Sequence, residues 1–138
     1  SDLLKMFWEC HDPTQKNRQG NDVGTQYRSA IFYKNENNKE IILASKEQYQ
    51  KELNKNNLGL IETEIKMIDN YFYAEHYHQQ YLASPGCRQY CSASPTKVKL
   101  GLFNGSKYKL KEYIWENFNW DVDKCVLRSD NNPIKVNK

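Results

Sequence analysis

Residues 25–68 read TQYRSAIFYKNENNKEIILASKEQYQKELNKNNLGLIETEIKMI, and their hydrophobic period changes twice. Over 25–33 it is two: Tyr27, Ser29, Ile31 and Tyr33 share one face, and Arg28, Ala30 and Phe32 the other. The second face is still fairly apolar, which predicts a strand in a covered sheet. Asn35 then stands where a helix N-cap is expected. The capping box is incomplete, because Asn38 occupies the place of Glu or Gln. Ile42, Tyr49 and Leu53 recur seven and four apart, a modest apolar helical stripe. The run NKNNLG predicts the helix end near Asn57 and Gly59. Residues 61–68 return to period two, with Ile61, Thr63, Ile65 and Met67 on one face and charges on the other. Strand, helix, strand at this spacing predicts a parallel crossover unit.

Upstream, Leu3, Leu4 and Phe7 have helical spacing, and Pro13 in HDPT stops that helix. Residues 14–24, polar with Gly20 and Gly24, are predicted as loop. The first residue is Ser1, and the opening SDLLKMFWECHDP lacks the basic start and long apolar run of a signal peptide. The expectation is a fragment whose parent has further sequence before Ser1. Downstream, DNYFYAEHYHQQYL (69–82) would place Glu75, His78 and Gln79 on neighbouring helical turns. The stretch 83–108 is rich in Gly, Pro and Ser and predicts loosely packed coil. Leu110, Ile114 and Phe118 predict a short last helix over 107–118, and residues 128–138 a frayed end.

The chain has 138 residues, the length of one domain. Mean hydropathy is -0.93, yet there are ten Tyr, five Phe and three Trp, which argues for a packed core. A net charge of +3 is too small to argue for nucleic acid or an anionic membrane, and no stretch reaches the length of a membrane span. Of the four cysteines, Cys87, Cys91 and Cys125 come late and Cys10 early. That distribution suits an intracellular protein whose late thiols are redox-active or incidental more than a disulfide-braced fold.

The chemical candidates each carry two readings. Asp22 and Tyr27 are a turn aspartate and a half-buried strand tyrosine, or the rim of a pocket in which a phenol O–H orients an S=O or C=O group. Cys87 and Cys91 flank Arg88, which would lower a thiol pKa; otherwise they are exposed thiols without a role. Cys10, beside Phe7 and Trp8, reads as packing. His76 and His78 are two apart and cannot share a helical face, and nothing in the spacing brings His11 to them, so no metal is expected. Asn104–Ser106 matches the short glycosylation pattern.

Three blocks carry a resemblance: FWECHDPTQKNRQGNDVGTQYRSAIFY (7–33), ASKEQYQ (44–50) and FYAEHYHQQYL (72–82) followed by a cysteine-bearing tail. Together they resemble peptide methionine sulfoxide reductase of the A class over most of residues 3–91. The resemblance implies an α+β domain, a two-layer sandwich with a ferredoxin-like core, mixed sheet and long coil, here incomplete at its N-terminal end. Residues 1–91 would be the later part of one domain and residues 92–138 an extension that matches bacterial members poorly.

The implied activity is thiol-dependent reduction of methionine-S-sulfoxide, free or in proteins, as protein repair under oxidative stress. Asp22 and Tyr27 match the family's substrate-holding Asp and Tyr. The family's Gly-Cys-Phe-Trp nucleophile block and Gly-His-Ala-Glu proton-donor block are absent from the chain and would lie upstream of Ser1. Cys10 falls where many relatives have Asn. Glu75, His78 and Gln79 match a hydrogen-bonded framework block. Attack on the sulfoxide leaves a sulfenic acid that condenses with a second thiol. Cys91 matches the recycling cysteine best, Cys125 would relay the disulfide outward, and Cys87 is a further candidate. Thioredoxin is the implied external reductant, with no metal or organic cofactor. The remaining expectations are a cytoplasmic monomer without nucleic-acid or membrane partners. Two other classes fit the same residues: a redox-inert methionine sulfoxide binding module, and a structural or interaction domain with fixed disulfides.

Overall fold

A computed structural model describes residues 1–83, 85–86 and 91–120. Cys87, Cys125 and the predicted frayed end lie outside them. The order is α1 (Asp2–Glu9), β1 (Arg18–Gln19), β2 (Asp22–Val23), a 3-10 turn (Thr25–Tyr27), β3 (Ala30–Tyr33), α2 (Glu36–Lys55), β4 (Glu64–Met67), 3-10 turns at His76–His78 and Tyr81–Ala83, and α3 (Glu112–Glu116). Among the described residues this is an α+β fold with two two-stranded sheets.

The crossover unit forms as the periods require. β3 pairs with β4 in parallel, Ala30 opposite Glu64 and Tyr33 opposite Met67. The intervening α2 has 20 residues. Its Asn35 cap accepts the N–H of Asn37 at 2.9 Å, satisfying one orphan donor. At the other end Asn57 takes φ 55°, a left-handed cap that Asn tolerates.

The apolar stripe of α2 builds the core. Ile42, Tyr49 and Leu53 are buried, and Ser45 sits among them. Trp8 of α1 is fully buried and donates its indole N–H to Ser45 Oγ at 2.9 Å. Trp8, Tyr49, Leu53 and Ile61 pack with Val98, Leu100 and Phe103.

Those last three correct the expectation of a loosely packed tail. Leu100 is fully buried although it lies in coil. Irregular backbone is buried only where its polar groups find partners. Here Tyr49 donates its hydroxyl to the Val98 carbonyl at 3.1 Å, and Gln48 donates its amide to the Leu100 carbonyl at 3.2 Å. Helix side chains thus serve as the ladder that a neighbouring strand would otherwise provide.

Five further expectations change. Residues 18–23 form an antiparallel hairpin, with Gln19 opposite Asp22, inside the predicted loop. The predicted strand over 25–33 begins only at Ala30. Gly24 takes φ 140°, and the next three residues close a 3-10 turn, with Tyr27 N–H on the Gly24 carbonyl at 3.1 Å. β4 is likewise shorter than 61–68, although Ile61 and Thr63 are buried as their face predicts. The segment 69–82 forms no continuous helix. Its aromatics point outward: Phe72 and Tyr73 are each 84% exposed. The last helix spans five residues and buries Trp115.

Candidate functional site

The hairpin of β1 and β2 turns through Gly20 and Asn21. Gly20 has φ 57°, as a two-residue hairpin loop demands at its first position. Arg18 donates to the Gly20 carbonyl at 2.6 Å, and Gly20 N–H donates to Gln15 Oε1 at 2.7 Å. Gln19 and Asp12 exchange bonds: Asp12 N–H reaches Gln19 Oε1 at 3.2 Å, and Gln19 Nε2 reaches the Asp12 carbonyl at 3.0 Å. Asp12 also accepts the Thr14 N–H at 2.9 Å and the Thr14 hydroxyl at 2.6 Å. The HDPT stretch and the hairpin are therefore one hydrogen-bonded body.

Asp22 stands on β2, half-buried, and accepts the Ser92 hydroxyl. Tyr27 ends the 3-10 turn and is 42% exposed. It is therefore a turn residue and not the strand residue expected. Arg28 beside it ties the turn to β4, with Nη1 on the Thr25 carbonyl at 2.9 Å and Nε on Glu64 at 2.8 Å. Asp22 and Tyr27 thus frame the exit of one short hairpin. No hydrogen bond joins them to each other among the described residues.

His11 has a role the sequence did not show. One ring nitrogen lies 2.6 Å from the Phe7 carbonyl and the other 2.7 Å from Ser29 Oγ, which lies 2.8 Å from Thr63 Oγ1. A carbonyl only accepts, so Nδ1 carries the proton and Nε2 accepts from Ser29. Burial lowers the His11 pKa from its ordinary 6.5, which keeps the ring neutral. This relay ties the end of α1 to the start of β3, two residues past Tyr27. His11 is far more a structural bridge than a metal ligand. Among the described residues no three His, Cys, Asp or Glu side chains gather as a metal site would need.

The cysteines separate. Cys10 is a free thiol, half-buried, with Sγ 3.5 Å from the Phe7 carbonyl. Burial raises its pKa, and the adjacent Glu9 adds to that, so it is a poor nucleophile. Cys91 is disulfide-bonded. Glu75, His78 and Gln79 are exposed; Gln79 bonds locally to the Ala74 carbonyl at 2.8 Å, and His78 lies against Tyr77.

A cleft of about 490 Å³ lies elsewhere, lined by Lys5, Lys99, Tyr108, Leu110 and Trp115 among others, none from the hairpin. Lys5 is nearly buried and approaches Glu9 at 2.9 and 3.2 Å, though only Oε1 is aligned to accept. Its ammonium also sits over the Tyr108 and Trp115 rings. Burial, then the charges of Glu9 and Asp2, push the Tyr108 phenol up to about 12.

Sequence spacing gave no sign of Ser92 or Gln19, which meet Asp22 and Asp12 only through folding. A profile of the family described as peptide methionine sulfoxide reductase matches residues 1–109. The mitochondrial peptide methionine sulfoxide reductase of Mus musculus is 54% identical over 97 residues, 70% of this chain and 41% of that protein. The Homo sapiens protein of the same name is 53% identical over 97 residues, again 70% and 41%. Peptide methionine sulfoxide reductase MsrA of Ectopseudomonas mendocina is 54% identical over 99 residues, 71% and 44%. The chain therefore belongs to the peptide methionine sulfoxide reductase family, and it spans about two-fifths of the length of these relatives. The expectation of a cytoplasmic protein is overturned by the same comparison, since the mouse and human relatives are mitochondrial by name.

Proposed function

We propose that the chain forms the substrate-holding and thiol-recycling part of a methionine-S-sulfoxide reductase. The observation that carries this reading is the meeting of Asp22 with the residue after Cys91, within a chain of this family. In the proposed site Asp22 and Tyr27 hold the sulfoxide oxygen or a water beside it. Tyr27 is exposed enough to donate its O–H to an incoming group.

Chemistry at sulfur needs a thiolate and a proton donor. The 138 residues contain neither Gly-Cys-Phe-Trp nor Gly-His-Ala-Glu, and Cys10 is the wrong thiol on burial. The reading assigns both groups to sequence outside these 138 residues. Once the Cys91 disulfide has been reduced, the nucleophile's sulfenic acid would condense with the Cys91 thiol, losing water and forming a disulfide. Cys125 or Cys87 would pass that disulfide outward. Thioredoxin would take it by thiol–disulfide exchange. No organic cofactor enters the scheme.

The test joins this chain to the complementary part of the mouse relative, which carries the nucleophile block if the reading is right. The chain and the chimera are each given a methionine-S-sulfoxide peptide with thioredoxin, its reductase and NADPH. Activity in the chimera alone supports the reading. Binding without turnover in both favours a redox-inert module that recognises oxidised methionine. Activity in the unjoined chain transfers the nucleophile to one of its own cysteines and defeats the assignment.

A further inference from the structure

Two of the three residues after Cys91 are docked on the hairpin. Ser92 donates its hydroxyl to Asp22 Oδ2. Ser94 donates its backbone N–H to Gln19 Oε1 at 2.8 Å. Between them, Gly20 passes so close to the Ser92 backbone that a Cβ added there would collide with the Ser92 carbonyl oxygen. Hairpin positions 19, 20 and 22 thus grip residues 92–94, some seventy positions away in the chain. Gln19 is itself fixed by its exchange of bonds with Asp12.

We infer that Ser92 and Gln19 are positioning residues that clamp the Cys91 segment onto the turn carrying Asp22. The purpose of the clamp rests on the reductase reading; its geometry does not. A recycling thiol has to stand beside the sulfoxide site when the oxidised nucleophile is ready, and has to leave when a reductant takes over. A hydroxyl on a carboxylate meets both needs. It is stronger than a neutral hydrogen bond, and it is released by exchange with one water or one substrate group. Asp22 has a second carboxylate oxygen and further lone pairs, so it can hold the Ser92 hydroxyl and still face a substrate group.

The measurement uses the oxidised 138-residue chain. Dithiothreitol reduces the Cys91 disulfide, aliquots are alkylated, and mass spectrometry follows the Cys91 peptide. Attack by an external thiol depends on access to the sulfur. Loss of the charge-assisted bond in Ser92→Ala is expected to speed reduction about tenfold. Ser92→Thr, which keeps the hydroxyl, is expected to restore the parental rate. Asp22→Asn, which keeps the shape and removes the charge, is expected to fall between, and it serves if Ser92→Ala does not fold. Parental rates in both Ser92→Ala and Asp22→Asn, with unchanged circular dichroism, would overturn the clamp. So would an acceleration that Thr fails to reverse. An inactive chimera with fast reduction in Ser92→Ala removes the reductase reading and leaves the clamp. An active chimera with parental rates does the reverse.

Discussion

The stretches Val98–Phe103 and Tyr71–Tyr81 are both irregular and both rich in large apolar residues, yet they end in opposite environments. Val98, Leu100 and Phe103 enter the core. Tyr71, Phe72, Tyr73 and Tyr77 stay more than half exposed. Hydrophobicity does not separate the two. Spacing and partners do. In VKLGLF every second or third residue turns to α2, where Tyr49 and Gln48 satisfy the carbonyls of Val98 and Leu100. In NYFYAEHYH the aromatics are adjacent in sequence, so no single extended or helical face can bury them all. A high aromatic count argues that a core exists. It does not say which aromatics are in it.

The largest effect should come from the buried side of this comparison. Leu100→Ala is expected to lower stability by about 3 kcal/mol, the cost of a cavity in a packed site. An unchanged urea midpoint would return the tail to loose coil. Tyr49→Phe should cost about 1–2 kcal/mol, because it leaves the buried Val98 carbonyl and the half-buried Thr96 hydroxyl without the phenol. Equal stability would mean that water replaces that hydroxyl and that the coil needs no side-chain ladder.

A pH effect comes next. The folded state holds His11 below its ordinary 6.5, so on acidification the unfolded chain takes up the proton first. The contribution is fully present above pH 6.5 and is lost as pH falls through the lowered folded value. Urea titrations on both sides of pH 6.5 should show that slope, and His11→Gln should flatten it. An equal slope in the variant would remove His11 from the bridge between α1 and β3. The smallest effect belongs to the exposed run. Phe72→Ser should shift stability by no more than about 0.5 kcal/mol. A larger loss in the isolated chain would show that the aromatic run is packed after all.

Much of the fold was legible because local rules decide it. The Asn35 cap, the Ile42–Tyr49–Leu53 stripe and the parallel pairing of β3 with β4 all follow from period and end signals. The hairpin at 18–23 is not legible in the sequence because its strands are two residues each, too short for any period to show. Of the site, Asp22 and Tyr27 stood out through resemblance, and the hairpin residues that fix them did not. Nothing in the spacing of His11 marks its role, and only its distances to Phe7 and Ser29 show it as a bridge.

By itself the sequence determined the crossover unit, the helix that builds the core, and the family. Each rests on patterns within a few turns of chain or on long shared motifs. Only tertiary structure decided that coil at Leu100 is core and that Ser92 meets Asp22. It alone also leaves the aromatic run after β4 facing outward. Those outcomes depend on hydrogen bonds and close approaches between residues dozens of positions apart, and no local period encodes which distant partner a side chain will find.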